Sequence, residues 1–215
     1  MAVWDNKNGT LFNNVCIGSS AANWNNGCLN TSSGAVVSNM TVYNNTLIGS
    51  GTSSQYATLL QPGGTNLTVE NNAVTTANTL VTTQGGTTIS LFNYNVYANA
   101  GASDPFVNAS GSSAAFLTLP DWQKYAGEAN SSFNSTLNLN SIGVPQSGSP
   151  AIGAGANLSS RCIMNGGNLP NALCSDIRGN PRSTTGPWDA GAYSSGATSG
   201  NQPPAPSGLI AIVNN

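Results

Sequence analysis

The charged side chains of this sequence are few, and acid–base or metal chemistry would have to come from them. The chain of 215 residues contains five Lys and Arg, seven Asp and Glu, and no His. Glycoside hydrolysis needs two carboxyl groups at a defined separation, and calcium needs several clustered carboxylates. The densest set of charges is Asp176, Arg178, Arg182 and Asp189. We expect these four side chains to pair in salt bridges, with a binding site as the alternative.

The remaining charged residues offer less chemistry. Glu70 is the only charged residue between positions 8 and 103, and we expect its carboxylate to point into solvent. Asp121, Lys124 and Glu128 are expected on one short helix, where Lys124 and Glu128 have the spacing of a structural pair. No His is present to activate a Ser or Cys nucleophile, and no phosphate-binding loop occurs. The sequence predicts no catalytic residue, metal or cofactor, and this chain alone is not expected to be an enzyme.

The four cysteines fall into two close pairs, Cys16 with Cys28 and Cys162 with Cys174, each enclosing eleven residues. Without His or a CxxC motif, two short-loop disulfides are favoured over a zinc site or four buried free thiols. Disulfides indicate an oxidising compartment, so we expect a secreted or cell-surface protein. The first residues do not resemble a signal peptide, which we expect to have been upstream or removed.

Composition excludes two classes of partner. With a net charge of −2 and five basic residues, the chain cannot assemble the basic patch that nucleic-acid binding requires. No apolar run approaches the roughly 20 residues of a membrane span. The sequence is rich in Asn, Gly, Ser and Thr, yet Val, Ile, Leu and Tyr recur in strand-like alternation, which argues against disorder. The chain is predicted to be folded and almost all β.

Four segments repeat one pattern, in which alternating apolar and polar residues are interrupted by asparagine. They span residues 8–18, 38–49, 65–76 and 87–98, and their alignment places Asn13, Asn44, Asn71 and Asn93 in one column. The column recurs at intervals of 31, 27 and 22 residues. Asn tolerates the left-handed backbone of a sharp corner, and stacked Asn amides can hydrogen-bond to one another. We therefore predict an Asn ladder at these four positions.

A repeat of this length, built from short strands and tight turns, is typical of one coil of a parallel β-solenoid. An antiparallel sandwich is the alternative. Residues 1–100 are expected to form the coils, and 101–195 the last coils and a C-terminal cap with one helical turn near 119–125. Residues 196–208 have the composition of a linker, and 209–215 are predicted to be an apolar tail strand.

Four phrases follow one another in the C-terminal half: LPDWQKYAGEANSSF (119–133), SPAIGAGANLS (149–159), DIRGNPR (176–182) and WDAGAY (188–193). Together they resemble the closing segment of secreted right-handed parallel β-helix proteins of the pectate-lyase-like superfamily, which typically reads SPAIDAG, DIxGNPR and DIGAYE. The resemblance covers roughly residues 85–195. The sequence departs from the pattern at Gly153, Ala190 and Ser194, where that family usually has Asp, Ile and Glu.

The resemblance implies an all-β fold, a right-handed parallel β-helix with an irregular C-terminal cap. An open solenoid end exposes strand edges and apolar core, which a cap must cover. The residues expected to cover or fasten that end are Trp122, Phe133, Ile152, Asp176, Arg178, Arg182, Trp188, Asp189 and Tyr193. Enzymes of the superfamily cleave acidic polysaccharides with basic residues, calcium or paired carboxylates, of which the coil region contains very little.

Three functions fit these observations. We favour a non-catalytic structural or adhesive module at the cell surface. Its tail strand is expected to add to another copy and form filaments, with the first strand of a further domain or a strand against its own solenoid as the alternatives. The tail strand comprises Leu209, Ile210, Ala211, Ile212 and Val213. A carbohydrate-binding module is the second, with Phe12, Tyr43 and Phe92 as an aromatic column that contacts polysaccharide or, as the alternative, covers a packed loop. The third is the C-terminal fragment of a polysaccharide lyase or glycoside hydrolase.

Overall fold

The computed structural model describes residues 2–3, 7–18, 29–31, 38–49, 60–61, 64–76, 79–83, 87–99, 105–108, 114–116, 118–162 and 172–195. This part of the chain is mostly β, with one α-helix and three mainly parallel sheets. It contains no helix long and apolar enough to cross a membrane. The predicted linker and tail strand lie outside the described residues.

The described strands are short. They are β1 (Ala2–Val3), β2 (Thr10–Phe12), β3 (Val15–Gly18), β4 (Leu29–Thr31), β5 (Thr41–Tyr43), β6 (Thr46–Gly49), β7 (Leu60–Gln61), β8 (Leu67–Glu70), β9 (Ala73–Thr75), β10 (Val81–Thr83), β11 (Ile89–Asn93), β12 (Val96–Ala98), β13 (Phe106–Asn108), β14 (Ala114–Phe116) and β15 (Ser132–Asn134). The helix is α1 (Leu119–Ala126).

Each repeat of the chain adds one parallel strand to each sheet. The first sheet has the order β1-β4-β7-β10-β13, with β14 antiparallel at its edge. The second sheet is β2-β5-β8-β11, and the third is β3-β6-β9-β12-β15. In the second sheet Leu11 lies beside Val42 and Val42 beside Val69, the column that the sequence alignment predicted.

The fourth repeat is displaced by one residue from the predicted alignment. The register of β11 shifts between Ile89 and Leu91, so that Phe92 rather than Leu91 lies beside Val69. The strand that follows, β12, is also displaced by one residue, so that Tyr97 lies beside Val74. Because successive strand residues face opposite sides, this shift turns Phe92 into the core. Its predicted place in an outward aromatic column is therefore wrong.

Sharp corners flank β2, β5 and β8 of the second sheet, and a further corner follows β11. The corner residues have positive φ: Asn8, Asn39 and Asn66 before the strand, and Asn13, Asn44, Asn71 and Tyr94 after it. A short amide side chain adopts this backbone more readily than other side chains do. The predicted corner role is seen at three of the four aligned asparagines. In the fourth repeat the shifted register gives the corner to Tyr94 instead of Asn93.

The apolar core runs through the repeats, and α1 covers it at one end. Core side chains include Val42, Leu47, Val69, Val74, Leu80, Phe92, Tyr97 and Phe106. The helix follows β13 and precedes β15, which is where earlier repeats place a strand of the second sheet. Its buried Trp122 meets Phe92 edge-on, with ring centroids 5.8 Å apart, and stacks on Phe106 at 5.3 Å. The helix starts where predicted, since the Thr118 side chain accepts the Asp121 N–H.

Residues 137–162 and 172–195, here called the arm, lie along the side of the repeats. Backbone groups of the arm bond to corner asparagines of three successive repeats. Trp188 packs with Tyr43 and Leu158 beside the second sheet. Phe133 and Ile152 are each 40% exposed. Of the residues expected to cover the open end, Trp122 does so, whereas Trp188 is placed elsewhere because the arm runs sideways.

Candidate functional site

An asparagine ladder runs through the interior of the repeats. The Nδ2 of Asn14 donates to Oδ1 of Asn45, Asn45 donates to Asn72, and Asn72 donates to Asn95, each at 2.9 Å. Each accepting Oδ1 also accepts the backbone N–H of the same donor asparagine, the one in the previous repeat, at 3.0 Å. We call these four residues the inner ladder. The ladder predicted at Asn13, Asn44, Asn71 and Asn93 is seen at one step, where Asn71 Nδ2 donates to Asn44 Oδ1 at 3.4 Å. The continuous ladder runs through the neighbouring residues instead.

The first asparagine of each pair fastens the arm instead. Its Nδ2 donates to a backbone carbonyl of the arm: Asn13 to Ser175 at 2.7 Å, Asn44 to Asp189 at 3.1 Å and Asn71 to Ala156 at 2.9 Å. The two asparagines of a pair therefore have different tasks. One side chain points out to hold the arm, and the next points in to extend the ladder.

Two glycines let the arm approach this closely. A Cβ on Gly155 would lie 2.9 Å from Cγ of Asn71, and a Cβ on Gly191 would lie 2.6 Å from Oγ1 of Thr46. Gly191 also has φ of 98°, which L side chains rarely adopt. These glycines belong to the phrases AIGAGA and WDAGAY, so part of the C-terminal pattern is explained by packing against the repeats.

Glu128 ends the inner ladder. Its Oε1 accepts from Asn95 Nδ2 at 2.9 Å and Tyr97 hydroxyl at 3.0 Å, and its Oε2 accepts from Trp122 Nε1 at 2.6 Å. The Ser131 hydroxyl also donates to Oε1. Burial raises the pKa of the Glu128 carboxyl, although these hydrogen bonds act to lower it. The predicted pair of Glu128 with Lys124 is wrong, because Glu128 points into the protein.

A second buried carboxylate lies on the outer side of the second sheet. Glu70 Oε2 pairs with Arg161 Nη1 at 2.6 Å, and the same Nη1 donates to the Tyr43 hydroxyl at 2.6 Å. The Glu70 side chain is 4% exposed and that of Arg161 is 39% exposed. The prediction that Glu70 is a solvated carboxylate is wrong, because Arg161, ninety-one residues further on, covers it.

The pKa shifts in the cluster of Glu70, Tyr43 and Arg161 favour a structural ion pair over a proton-transfer site. Burial raises the pKa of the Glu70 carboxyl, and the Arg161 charge only partly offsets it. Burial also raises the pKa of the Tyr43 hydroxyl, so that this group stays protonated at neutral pH. Burial acts to lower the pKa of Arg161, but its contacts with Tyr43 and Glu70 outweigh burial and raise it. The three side chains are consistent with a fixed ion pair with an attached hydroxyl.

A disulfide holds the loop that carries Arg161. Cys162 is bonded to Cys174, with their Cα atoms 5.5 Å apart. Arg161 immediately precedes Cys162 at the end of the 3₁₀ turn Ser159–Arg161. This cross-link is the second of the two that the sequence predicted. Cys16 is also disulfide-bonded, while Cys28 lies outside the described residues.

The charges near the end of the chain do not pair with one another. Asp176 accepts backbone N–H groups of the arm, and Asp189 accepts that of Gly153 at 2.7 Å. Arg178 lies 4.8 Å from the centroid of the Tyr193 ring, and Arg182 lies 5.3 Å from that of Trp188. In the part of the chain described, Arg161 with Glu70 forms the single salt bridge. The salt bridges predicted for Asp176, Arg178, Arg182 and Asp189 are therefore wrong, although the same residues do fasten the arm.

Arg182 is the most enclosed of these cations. It donates to the Gly191 carbonyl at 2.9 Å and to Oδ1 of Asn13 at 3.0 Å. Burial lowers its pKa to about 10, while Asp176 and Asp189 act in the opposite direction. Arg182 thus connects the arm to the first described repeat.

The predicted aromatic column does not form a sugar-stacking surface. Tyr43 is buried under the arm, Phe12 is half-buried beside it, and Phe92 lies in the core. The alternative that this column covers a packed segment holds for Tyr43 and Phe12, but the sequence did not show which segment, because it is more than a hundred residues away. An acidic residue, Glu70, in a column of aromatic residues was the available signal that a distant cation packs there.

Comparison of the chain with protein-family models, with curated proteins and with solved structures returns no match. Among the described residues no group of three His, Cys, Asp or Glu side chains is placed to hold a metal ion.

Proposed function

We propose that this chain is a right-handed parallel β-helix module with a structural or adhesive role outside the cell and no catalytic activity of its own. The addition of one parallel strand per repeat to each of three sheets supports the solenoid. The disulfide between Cys162 and Cys174 supports an oxidising location. The C-terminal phrases that resemble the pectate-lyase-like superfamily support right-handed coiling.

The observation that supports the proposal most directly is that the buried carboxylates already accept hydrogen bonds from structural donors. Glu70 is held by Arg161, and Glu128 by four donors. Asp176 and Asp189 are held by backbone N–H groups. A glycosidase needs one carboxyl group ready to donate a proton and another facing the sugar or water. Carboxylates that already bind structural donors are suited to rigidity instead.

Self-assembly through the tail strand Leu209–Val213 remains part of the proposal. A strand of five consecutive apolar residues can add to a sheet edge of another copy, and such a head-to-tail contact propagates. Negative-stain electron microscopy with light scattering tests it on the full chain. Uniform fibres that disappear in Ile212→Asp, but persist in Ile142→Asp, support the role of the tail. Ile142 is an exposed residue of the arm and serves as the matched control. A chain without fibres at any concentration would refute assembly.

A second candidate function is glycan contact, at a different place from the predicted aromatic column. A groove between β11 and the end of α1 is lined by Thr87, Ile89, Ser90, Leu91, Lys124 and Tyr125. Tyr125 is 39% exposed, and its ring lies 5.6 Å from that of buried Trp122. Lys124 forms no salt bridge within the described residues. A fixed aromatic ring, hydroxyl groups and a cation suit a sugar that carries a carboxylate.

A panel of neutral and acidic polysaccharides tests this candidate. We expect retention on an acidic polysaccharide that weakens in Tyr125→Ala and is unchanged in Phe133→Ala, an equally exposed aromatic outside the groove. Equal binding by both variants would place the contact elsewhere. The same mixtures are assayed for unsaturated or reducing-end products, because the proposal that the chain is part of a lyase or hydrolase requires them.

A further inference from the structure

The third sheet ends at a strand whose edge carries no protective residue. β15 is the outermost strand of that sheet and pairs with β12 on one side. Proteins protect an exposed sheet edge with charged side chains, Pro or a covering segment. Residues 130–136, which comprise β15 and two residues on either side, contain no charged residue and no Pro. In the second sheet, by contrast, α1 takes the place of the next strand beside β11.

The backbone of β15 offers one donor and one acceptor at Phe133. The Ser132 N–H donates to the Asn95 carbonyl at 3.0 Å, and the Asn134 carbonyl accepts from the Asn99 N–H at 3.3 Å. Both of these β15 groups therefore face β12. Because backbone groups alternate in direction along a strand, the N–H and carbonyl of Phe133 face away from β12. Neither has a hydrogen-bond partner among the described residues.

The Phe133 side chain belongs to a column of core residues. Phe133 lies beside Tyr97, Tyr97 beside Val74, and Val74 beside Leu47. The last three side chains are at most 1% exposed, whereas Phe133 is 40% exposed. Its ring still approaches the buried ring of Phe106, with the centroids 6.0 Å apart. Phe133 is therefore a core residue with part of its ring uncovered, and a further strand on β15 would cover it.

The chain contains an apolar strand within reach of this edge. Leu209–Val213 is a run of five consecutive apolar residues. The Ala192 N–H donates to Thr46 Oγ1 at 2.9 Å, so the end of the arm lies beside β6. A strand beyond β15 lies four strand spacings from β6, about 19 Å at about 4.8 Å each. The thirteen residues 196–208, as a flexible chain, span about 20 Å.

We propose that the β15 edge is the docking site of the tail strand Leu209–Val213, which adds to the third sheet beside Phe133. The N–H and carbonyl of Phe133 bond to the backbone of the tail, and apolar tail side chains cover the Phe133 ring. The proposal rests on the proposed self-assembly, in which the strand comes from a second copy, and it names the surface that receives the strand. Each copy then gives one tail and receives one, which is a heterologous contact.

Binding of a labelled tail peptide to the full chain tests the edge separately from the filament. The peptide is GLIAIVNN, residues 208–215, and the chain carries Ile212→Asp so that its own tail does not compete. We expect saturable binding by fluorescence anisotropy. Adding Phe133→Pro removes the ring and the outward N–H without removing a bond to β12, and should weaken binding about tenfold or more. Phe133→Val is the matched control, because it keeps the N–H and a strand-forming side chain, and its affinity should stay within about threefold of the parent.

A second form of the peptide requires no change in the protein. GLIAIVNN carrying Ile212→Asp should not bind, while circular dichroism checks that Phe133→Pro is folded. The proposal is overturned if GLIAIVNN does not bind saturably, if its Ile212→Asp form binds equally well, or if Phe133→Pro and Phe133→Val bind it equally. Parent fibres that also form in Phe133→Pro would keep the filament and reject the β15 edge. Peptide binding by a parent chain that forms no fibres would keep the edge and reject the filament.

Discussion

Glu128 accepts a hydrogen bond from the side-chain amide of Asn95 at 2.9 Å, and this contact joins the end of the inner ladder to the helix that covers the core. Each asparagine of the ladder is both a donor and an acceptor, so the row could continue indefinitely. A carboxylate can only accept. The same carboxylate also receives the indole N–H of Trp122, which positions α1.

Glu128→Gln should destabilise the protein by about 2–3 kcal/mol, because the glutamine NH₂ group would face either the Trp122 indole N–H or the three donors to Oε1. Urea unfolding followed by circular dichroism measures this. Lys124→Gln, on the exposed side of the same helix, is the control and should change stability by less than about 0.5 kcal/mol. Equal effects in the two variants would contradict the role of Glu128.

The pH dependence of stability should reflect Glu128 in a definite direction. Its pKa in the folded protein lies above its usual value of 4.5, so the folded state binds a proton more readily than the unfolded chain. Its contribution to stability is complete below pH 4.5 and is lost as the pH rises through the folded pKa. The stability advantage of the parent chain over Glu128→Gln should therefore be larger at pH 4.5 than at pH 7.5. The opposite slope in paired urea titrations would show that the carboxylate form is the one favoured by folding.

Arg161→Met should leave Glu70 buried without its partner. We expect a loss of about 1–3 kcal/mol, below the range for fully buried pairs because Arg161 is 39% exposed. Adding Glu70→Gln should recover part of that loss. A double-mutant cycle in urea gives the coupling between the two residues, and a coupling near zero would mean that solvent screens the pair.

The position of the inner ladder can be tested directly in the fourth repeat. Asn95→Ala removes the acceptor for Asn72 and the donor to Glu128, and should cost about 2–3 kcal/mol. Asn93→Ala removes acceptors for two backbone N–H groups at a half-buried site, and should cost about 1 kcal/mol. Thermal and urea unfolding of the two variants compare them. A larger loss in Asn93→Ala would favour the ladder predicted from sequence.

The sequence was sufficient for the parts of the structure set by local pattern. Leu11, Val42 and Val69 stand in one column of the alignment and in one column of the second sheet, because equal spacing within a repeat fixes the register. The prediction of register failed in the fourth repeat because a single extra residue before Leu91 shifts the pairing of β11 with β8. The mark that the shift leaves in the sequence is Asn95, which stands one position later than the alignment with Asn14, Asn45 and Asn72 requires.

The candidate site was less accessible to sequence reasoning. The adjacent residues Asn44 and Asn45 look equivalent in the sequence, yet one binds the arm and the other binds Asn72. The partner of Glu70, Arg161, lies in a distant loop, so the sequence around Glu70 predicts a solvent-exposed carboxylate. Both errors come from contacts between the repeats and the arm, which no short-range pattern predicts.

Two asparagine ladders run in opposite directions, and this arrangement has an electrical consequence. The inner ladder donates from earlier to later repeats. An outer ladder of exposed corner asparagines donates from later to earlier repeats, from Asn66 to Asn39 at 2.7 Å and from Asn39 to Asn8 at 2.8 Å. Each row of aligned amides adds its dipoles, as peptide groups do in a helix. Here the two rows point against each other, so the dipole of the exposed outer row opposes that of the inner row. Further repeats would lengthen both rows together, and the outer row would reduce the partial charge that the inner row builds up at the ends of the stack.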